Sequence, residues 1–345
     1  AIGSLFGVTA ALAIGLRAFL GTWLNRFGRR PFIIGAGVLH VGLCLVYWVF
    51  DRLTPFLYVV RALHGIVEAI IFSMLFTYAA DIVPVSRRTE GLALFGVSGQ
   101  VPIALSGLAG EWLLARAGYH ELFLVTAIFA ALGLLLSLPL PEPEHAFEAA
   151  EPRGWVACAT HRELVPLWFI GVAFATAVSP VFVFLKTYVM DTGVGSVGLF
   201  LALYSLSAAT LRLFFGWVPD RVGPKKALAP AILAVACGMW LMAHASGTLS
   251  LTLAGMLVGA GHGLAFPIIV GLVVGRVVPA ERAVAMSLAT SIFDMGQLIG
   301  GPLFGAIIEA RSYATAFVSA GVIAATGLVV FTLWEWRLKV RPSPA

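Results

Sequence analysis

Uncharged apolar runs of membrane-spanning length follow one another along this chain, separated by short clusters of charge, proline and glycine. The first sixteen residues carry no charge, and neither do the runs from Leu122 to Pro141 and from Ala227 to Met242. Dividing the chain at its polar breaks gives eleven candidate helices, at 1–24, 32–50, 54–82, 90–116, 120–138, 164–188, 196–218, 226–245, 249–275, 283–309 and 313–336. Each reaches or approaches the ~20 residues that cross a bilayer core, and all are far longer than a barrel strand. Only helices and closed barrels satisfy the backbone polar groups in lipid. The pattern therefore predicts an all-α membrane protein, a bundle of spanning helices.

Composition sharpens this. Sixty per cent of the residues are apolar and 11% charged, with mean hydropathy +0.97, against ~25% charged in a typical soluble domain. The net charge of +5 sits in short clusters between apolar spans, which is the pattern of membrane topology, so no nucleic-acid partner is expected. One side of the bundle would hold Arg26, Arg29, Arg30, Arg87, Arg88, Arg153, Arg162, Arg221, Lys225, Lys226, Arg276, Arg282, Arg337, Lys339 and Arg341. The other would hold only Arg52, Arg116, Lys186 and Arg311. That imbalance predicts a cytoplasmic C-terminus and central linker. The three cysteines show neither CxxC nor Cys/His spacing, so no disulfide framework, metal site or cofactor is indicated.

A shift of 195 residues superposes Arg17 on Arg212, Gly21 on Gly216, Arg26 on Arg221, Gly28 on Gly223, Pro84 on Pro279, Arg87 on Arg282 and Gly110 on Gly305. One constant offset across several spans is an internal repeat. It divides the chain into an N-terminal bundle (1–138), a Pro- and Glu-rich linker (139–163) and a C-terminal bundle (164–345). Five spans precede the linker and six follow it, and the repeat leads us to expect a first helix missing from the N-terminal bundle of a twelve-helix design.

The best-marked motif is a basic, glycine-punctuated hinge that occurs twice: Arg17, Gly21, Asn25, Arg26, Gly28, Arg29 and Arg30, then Arg212, Gly216, Asp220, Arg221, Gly223, Lys225 and Lys226. With these hinges the chain resembles the major facilitator superfamily, in which two six-helix bundles are related by an axis along the membrane normal. The resemblance implies a conformational latch at each hinge, made by its acid and basic neighbours. Asp220 retains that acid, whereas Asn25 replaces it in the first copy. Gly21 and Gly216 would admit a neighbouring helix, and Gly28 and Gly223 would free a tight reversal.

Charges inside a bundle are functional candidates by default. Arg61, His64 and Glu68 recur at spacings of three and four, along one face of one helix. They offer either a proton path or a static ion pair with a packed histidine. Arg61 with Gly65 matches the family's pattern of an arginine that assists proton coupling. Asp294, with Gln297 one turn on, lies near the middle of its span; together they offer a site for substrate, with Gln297 in the substrate cavity, a second proton site, or an interhelical hydrogen bond. Gln100, His262, Tyr204 and Phe174 are candidates for a substrate cavity, with Phe72, Phe76, Tyr78, Phe182, Phe184 and Phe266 as further aromatic wall; Glu111 shares the helix of Gln100. Where the family's antiporter motif has a Gly-Pro pair, this chain has Ser106 and Gly107.

No HExxH, Walker loop or GxSxG occurs, so an enzyme is not expected. The resemblance implies a monomeric secondary transporter in a bacterial cytoplasmic (inner) membrane. It would move a small molecule, with protons as coupling ion and the lipid bilayer as surroundings. Proton-coupled efflux is the leading expectation, with metabolite uptake or a non-transporting receptor as alternatives.

Overall fold

In the computed structural model the described residues are 11, 14–15, 29–49, 54–82, 95–142, 155–277 and 282–340, without the side chains of 76, 77, 80, 81, 220, 274, 282, 283, 339 and 340. They form α1 (Arg30–Val49), α2 (Pro55–Ile82), α3 (Gln100–Arg116), α4 (Tyr119–Ser137), α5 (Trp155–Ala159), α6 (Val165–Thr192), α7 (Val197–Phe215), α8 (Val218–Val222), α9 (Pro224–Ala243), α10 (Thr248–Val274), α11 (Arg282–Ala310) and α12 (Tyr313–Val340). Nine of these are long and apolar enough to cross a membrane. The candidate helix 1–24 lies almost wholly outside the described residues. The span expected from residue 90 is described from a helical turn at 95–98, with α3 proper following Gly99.

The repeat is visible in three dimensions. Arg30 and Pro224, Pro55 and Thr248, and Tyr119 and Tyr313 open corresponding helices at close to the sequence offset. Packing repeats with them: α1 lies on α2 and α4, and α9 lies on α10 and α12. In the C-terminal half, α6 is the inner helix, buried along nearly its whole length from Leu167 to Tyr188. By contrast α4 buries only Ala127 and exposes Phe129 and Leu136. A perimeter helix in lipid needs no polar outer face, so its apolar residues carry no amphipathic pattern.

Hydrocarbon outside the bundle removes most of the hydrophobic drive for helix association, and close packing takes its place. Gly255, Gly259 and Gly263, four residues apart on α10, bring that helix against Phe200, Tyr204 and Ala208 of α7. Gly296 and Gly300 of α11 meet Ala175 and Ser179 of α6 in the same way. A β-carbon at Gly259 would overlap the Tyr204 carbonyl and come within 2.6 Å of Ser207 Oγ. Gly259→Ala is therefore expected to destabilise the fold by about 1–3 kcal/mol, as overpacking does. Thermal unfolding in detergent checks this, with Gly271→Ala as control, since nothing lies within 4 Å of the added carbon there.

The two halves meet along α3 and α7, which run antiparallel. Gly107 and Gly198 let these helices touch: a β-carbon on Gly198 would lie 2.9 Å from the Gly107 carbonyl oxygen. At one end of this seam Glu111 Oε2 accepts from Ser196 Oγ at 2.5 Å and from Gly198 N at 2.9 Å. At the other, Arg212 Nη1 donates to Gly96 O at 3.4 Å.

Candidate functional site

The predicted face of α2 is assembled. His64 Nε2 lies 3.5 Å from Glu68 Oε1, one helical turn away, and His64 Nδ1 lies 3.3 Å from Tyr47 Oη on α1. His40, also on α1, places its ring 5.0 Å from that of His64 and its Nε2 3.9 Å from Cys44 Sγ. Arg61 acts electrostatically on Tyr47, His64 and Glu68. A cavity of about 400 Å³ opens beside this line, with Cys44, Tyr47, Arg61 and His64 on one wall and Phe123 and Thr126 of α4 on the other.

Exposure separates the members of the line. The His64 side chain is 11% exposed, whereas that of Glu68 is 53% exposed. Glu68 also feels the charge of Asp294 on α11. Two carboxylates from opposite halves therefore share one electrostatic environment, a relation that no spacing within either helix could reveal. Gln297, one turn from Asp294, has its Oε1 buried without a hydrogen-bond partner among the described residues, as does Gln100 on α3.

The C-terminal candidates gather separately. Tyr204 Oη is hydrogen-bonded to His262 Nδ1, joining α7 to α10. Around the imidazole stand Phe174 at 5.3 Å, Phe182 at 6.1 Å and Phe266 at 6.5 Å between ring centres. Phe174 is completely buried and Tyr204 is 1% exposed, so neither lines an open cavity wall in this structure. Of the other proposed wall aromatics, Tyr78 instead donates its hydroxyl to Pro141 O at 2.9 Å, Phe184 is buried in the core, and the Phe76 side chain lies outside the described residues.

The hinges are only partly described. Arg17, Gly21, Asn25, Arg26, Gly28 and the Asp220 side chain lie outside the described residues. Gly223 has φ of 97°, in the left-handed region that favours glycine. At Gly216 the atoms closest to an added β-carbon belong to the backbone of Arg212, one turn back in the same chain. Arg221 stacks on Trp217 at 4.5 Å, and Lys226 is exposed at the start of α9.

The basic hinge residues also find partners that the hinge motif does not contain. Lys225 pairs with Glu335 of α12. Glu335 also receives Arg276 through two bonds, at 2.8 and 3.0 Å. In the first half the backbone N–H groups of Arg29 and Arg30 donate to Glu142, at 2.5 and 2.8 Å, where α1 begins, and Arg30 Nη2 donates to Leu138 O at 2.9 Å. In both halves the acid comes from the chain at or beyond the last helix of that half. Arg212 likewise serves no hinge acid among the described contacts, donating instead to the backbone carbonyls of Gly263 and Gly96.

Glu335, Arg276 in its pairing role, and Tyr47 are the residues that sequence reasoning missed. The signal for Glu335 was present, since it is the acid of the last apolar span. Tyr47 had none. Glu111 was noticed without a role, and the structure supplies one: its carboxylate caps the N-terminus of α7 across the seam, where a negative charge is favoured. Lys186 reinforces the same end by donating to Tyr119 Oη at 2.7 Å. Glu111→Gln removes that charge and is expected to weaken the clasp by about 1–2 kcal/mol. Pulsed-EPR distances between labels on α3 and α7 check it, through a larger separated population in the variant.

Comparison with known proteins places this architecture. The chain is 20% identical to the staphylopine export protein of Staphylococcus aureus, over 100% of this chain and 88% of that protein. It is 21% identical to multidrug resistance protein 2 of Bacillus subtilis, covering 96% of this chain and 87% of that one. A crystal structure of a mutant of the peptide transporter POT superposes with a TM-score of 0.77 at 16% identity, over 97% of this chain and 86% of that one, a likeness of fold. The sequence profile of the Major Facilitator Superfamily matches residues 1–248 and 167–345. With two helical halves, a shared seam and a profile match spanning the whole sequence, the chain belongs to the Major Facilitator Superfamily, a family of small-molecule transporters.

Proposed function

We propose that this protein is a proton-coupled exporter of a small molecule, working by alternating access as a monomer in a bacterial cytoplasmic membrane with its C-terminus inside. The observation that supports the reading is that Glu68, on α2, lies within electrostatic reach of Asp294, on α11, as well as of Arg61 on its own helix. Two like charges brought together between halves cannot both remain ionised without cost, so relative motion of the halves alters how tightly a proton is held there. Arg61 and His64 stand beside Glu68 and complete a route from the cavity at Tyr47.

The direction rests on similarity to an export protein and a drug-resistance protein that each align along nearly the whole chain. Ser106 and Gly107, in place of the antiporter motif's Gly-Pro pair, favour a second reading, proton-coupled uptake. Proteoliposomes with a pH-sensitive dye inside separate the two. Proton movement opposite to substrate supports export, proton movement with substrate supports uptake, and binding without any proton movement sinks the coupling.

A further inference from the structure

We propose that Arg212 forms an anion subsite, taking the carboxylate of a small molecule whose remaining body is aromatic, where α7, α10 and α3 meet. The proposal deepens the transporter reading and rests on it. Arg212 lies in the last turn of α7. Its Nε donates to Gly263 O of α10 at 2.8 Å, and its Nη1 makes the longer, 3.4 Å bond to Gly96 O in the other half. Both acceptors are neutral carbonyls, and a guanidinium carries five donors. Among the described residues no carboxylate lies within ion-pair distance of it.

That contrasts with two other cations of the same half. Arg276 and Lys225 share the carboxylate of Glu335, so this half of the bundle supplies a counter-charge where one is needed for structure. A cation on a spanning helix without an opposite charge is costly, and a planar, five-donor group suits a carboxylate in two-point contact. Among the acids, Glu68 lies within electrostatic reach of Arg61 and of Asp294, whereas the titratable groups on which Arg212 acts are Tyr204 and His262.

The surroundings define the rest of the ligand. His262 immediately precedes Gly263, and beyond it Phe266 and Phe293 stand 4.5 Å apart between ring centres. Gln100 sits one turn beyond Gly96 on the same face of its helix, 9% exposed, with Oε1 unpartnered. A molecule anchored at Arg212 thus meets aromatic edges on one side and an amide on the other. Its carboxylate would replace the weak Gly96 bond and untie α3 from α7 at this end of the seam, which links binding to movement of the halves.

The test measures binding to the purified full chain in detergent, using benzoate, phenylacetate and indole-3-acetate against their matched amides and tetraphenylphosphonium. Carboxylates are expected to bind at least about ten-fold more tightly than the amides, and Arg212→Gln to abolish that margin, the worth of one charged hydrogen bond. Arg212→Lys is expected to retain part of it. Equal affinity for acids and amides in the native chain overturns the subsite, as does an undiminished margin in Arg212→Gln. The native comparison stands even if the variant fails to fold. Proton movement driven by tetraphenylphosphonium but by no carboxylate overturns the substrate class and leaves transport intact. Binding of carboxylates with no flux of any compound into proteoliposomes supports the subsite and overturns the transporter reading.

Discussion

Glu68→Gln is expected to abolish substrate-driven proton movement while leaving the protein folded and able to bind ligand. The amide keeps the size of the carboxyl group and its place 3.5 Å from His64, but it cannot release and recapture a proton near neutral pH. It also removes one of the two charges that oppose each other between α2 and α11. A fall in coupled flux of about 100-fold or more follows if the group carries the proton, the scale of loss when a positioned acid or base is removed. The measurement is dye-reported proton flux in proteoliposomes, with ligand affinity recorded on the same preparation. Undiminished proton flux would return Arg61, His64 and Glu68 to a static cluster whose role is to hold α1 and α2 together.

The second large effect concerns stability. Glu335 is 6% exposed and holds two cations from different segments, Lys225 at the start of α9 and Arg276 just beyond α10. Arg276 also reaches Glu163 O, at the end of the connector before α6. Removing the carboxylate leaves a buried guanidinium facing an ammonium. Glu335→Ala is therefore expected to cost about 3–5 kcal/mol, the usual penalty for breaking a buried pair from one side. Glu335→Gln should cost less, because the amide oxygen still accepts a bond. Thermal unfolding in detergent reports both, and because the cluster is buried the loss should change little with added salt. Unfolding temperatures unchanged in both variants would mean that these three side chains contribute topology signals and nothing more.

Legibility differed between elements for physical reasons. Span positions were readable because a helix in lipid must be apolar over a length set by the bilayer, and α9 and α12 begin within two residues of where the pattern put them. Which apolar helices turn toward lipid and which toward protein was not readable. Lipid and protein interior are equally apolar, so nothing in the sequence of α4 or α6 announces that one lies at the perimeter and the other at the centre. The glycines of α10 were visible as letters, but their partners Phe200, Tyr204 and Ala208 belong to a helix some fifty residues earlier.

The same division runs through the site. Arg61, His64 and Glu68 share one helix, where spacing alone decides the face, and they are found together. By itself the sequence determined the class of fold, the twofold repeat and the cations of the hinges, because bilayer thickness and charge exclusion act on each span separately. Tertiary structure alone decided what each acid meets: Glu335 with Lys225 and Arg276, Glu142 with the start of α1, Glu111 with the start of α7, and Glu68 within electrostatic reach of Asp294. Those pairings depend on how helices rotate and approach one another, which in a membrane is governed by close packing at small residues and by buried polar contacts between segments far apart in the chain.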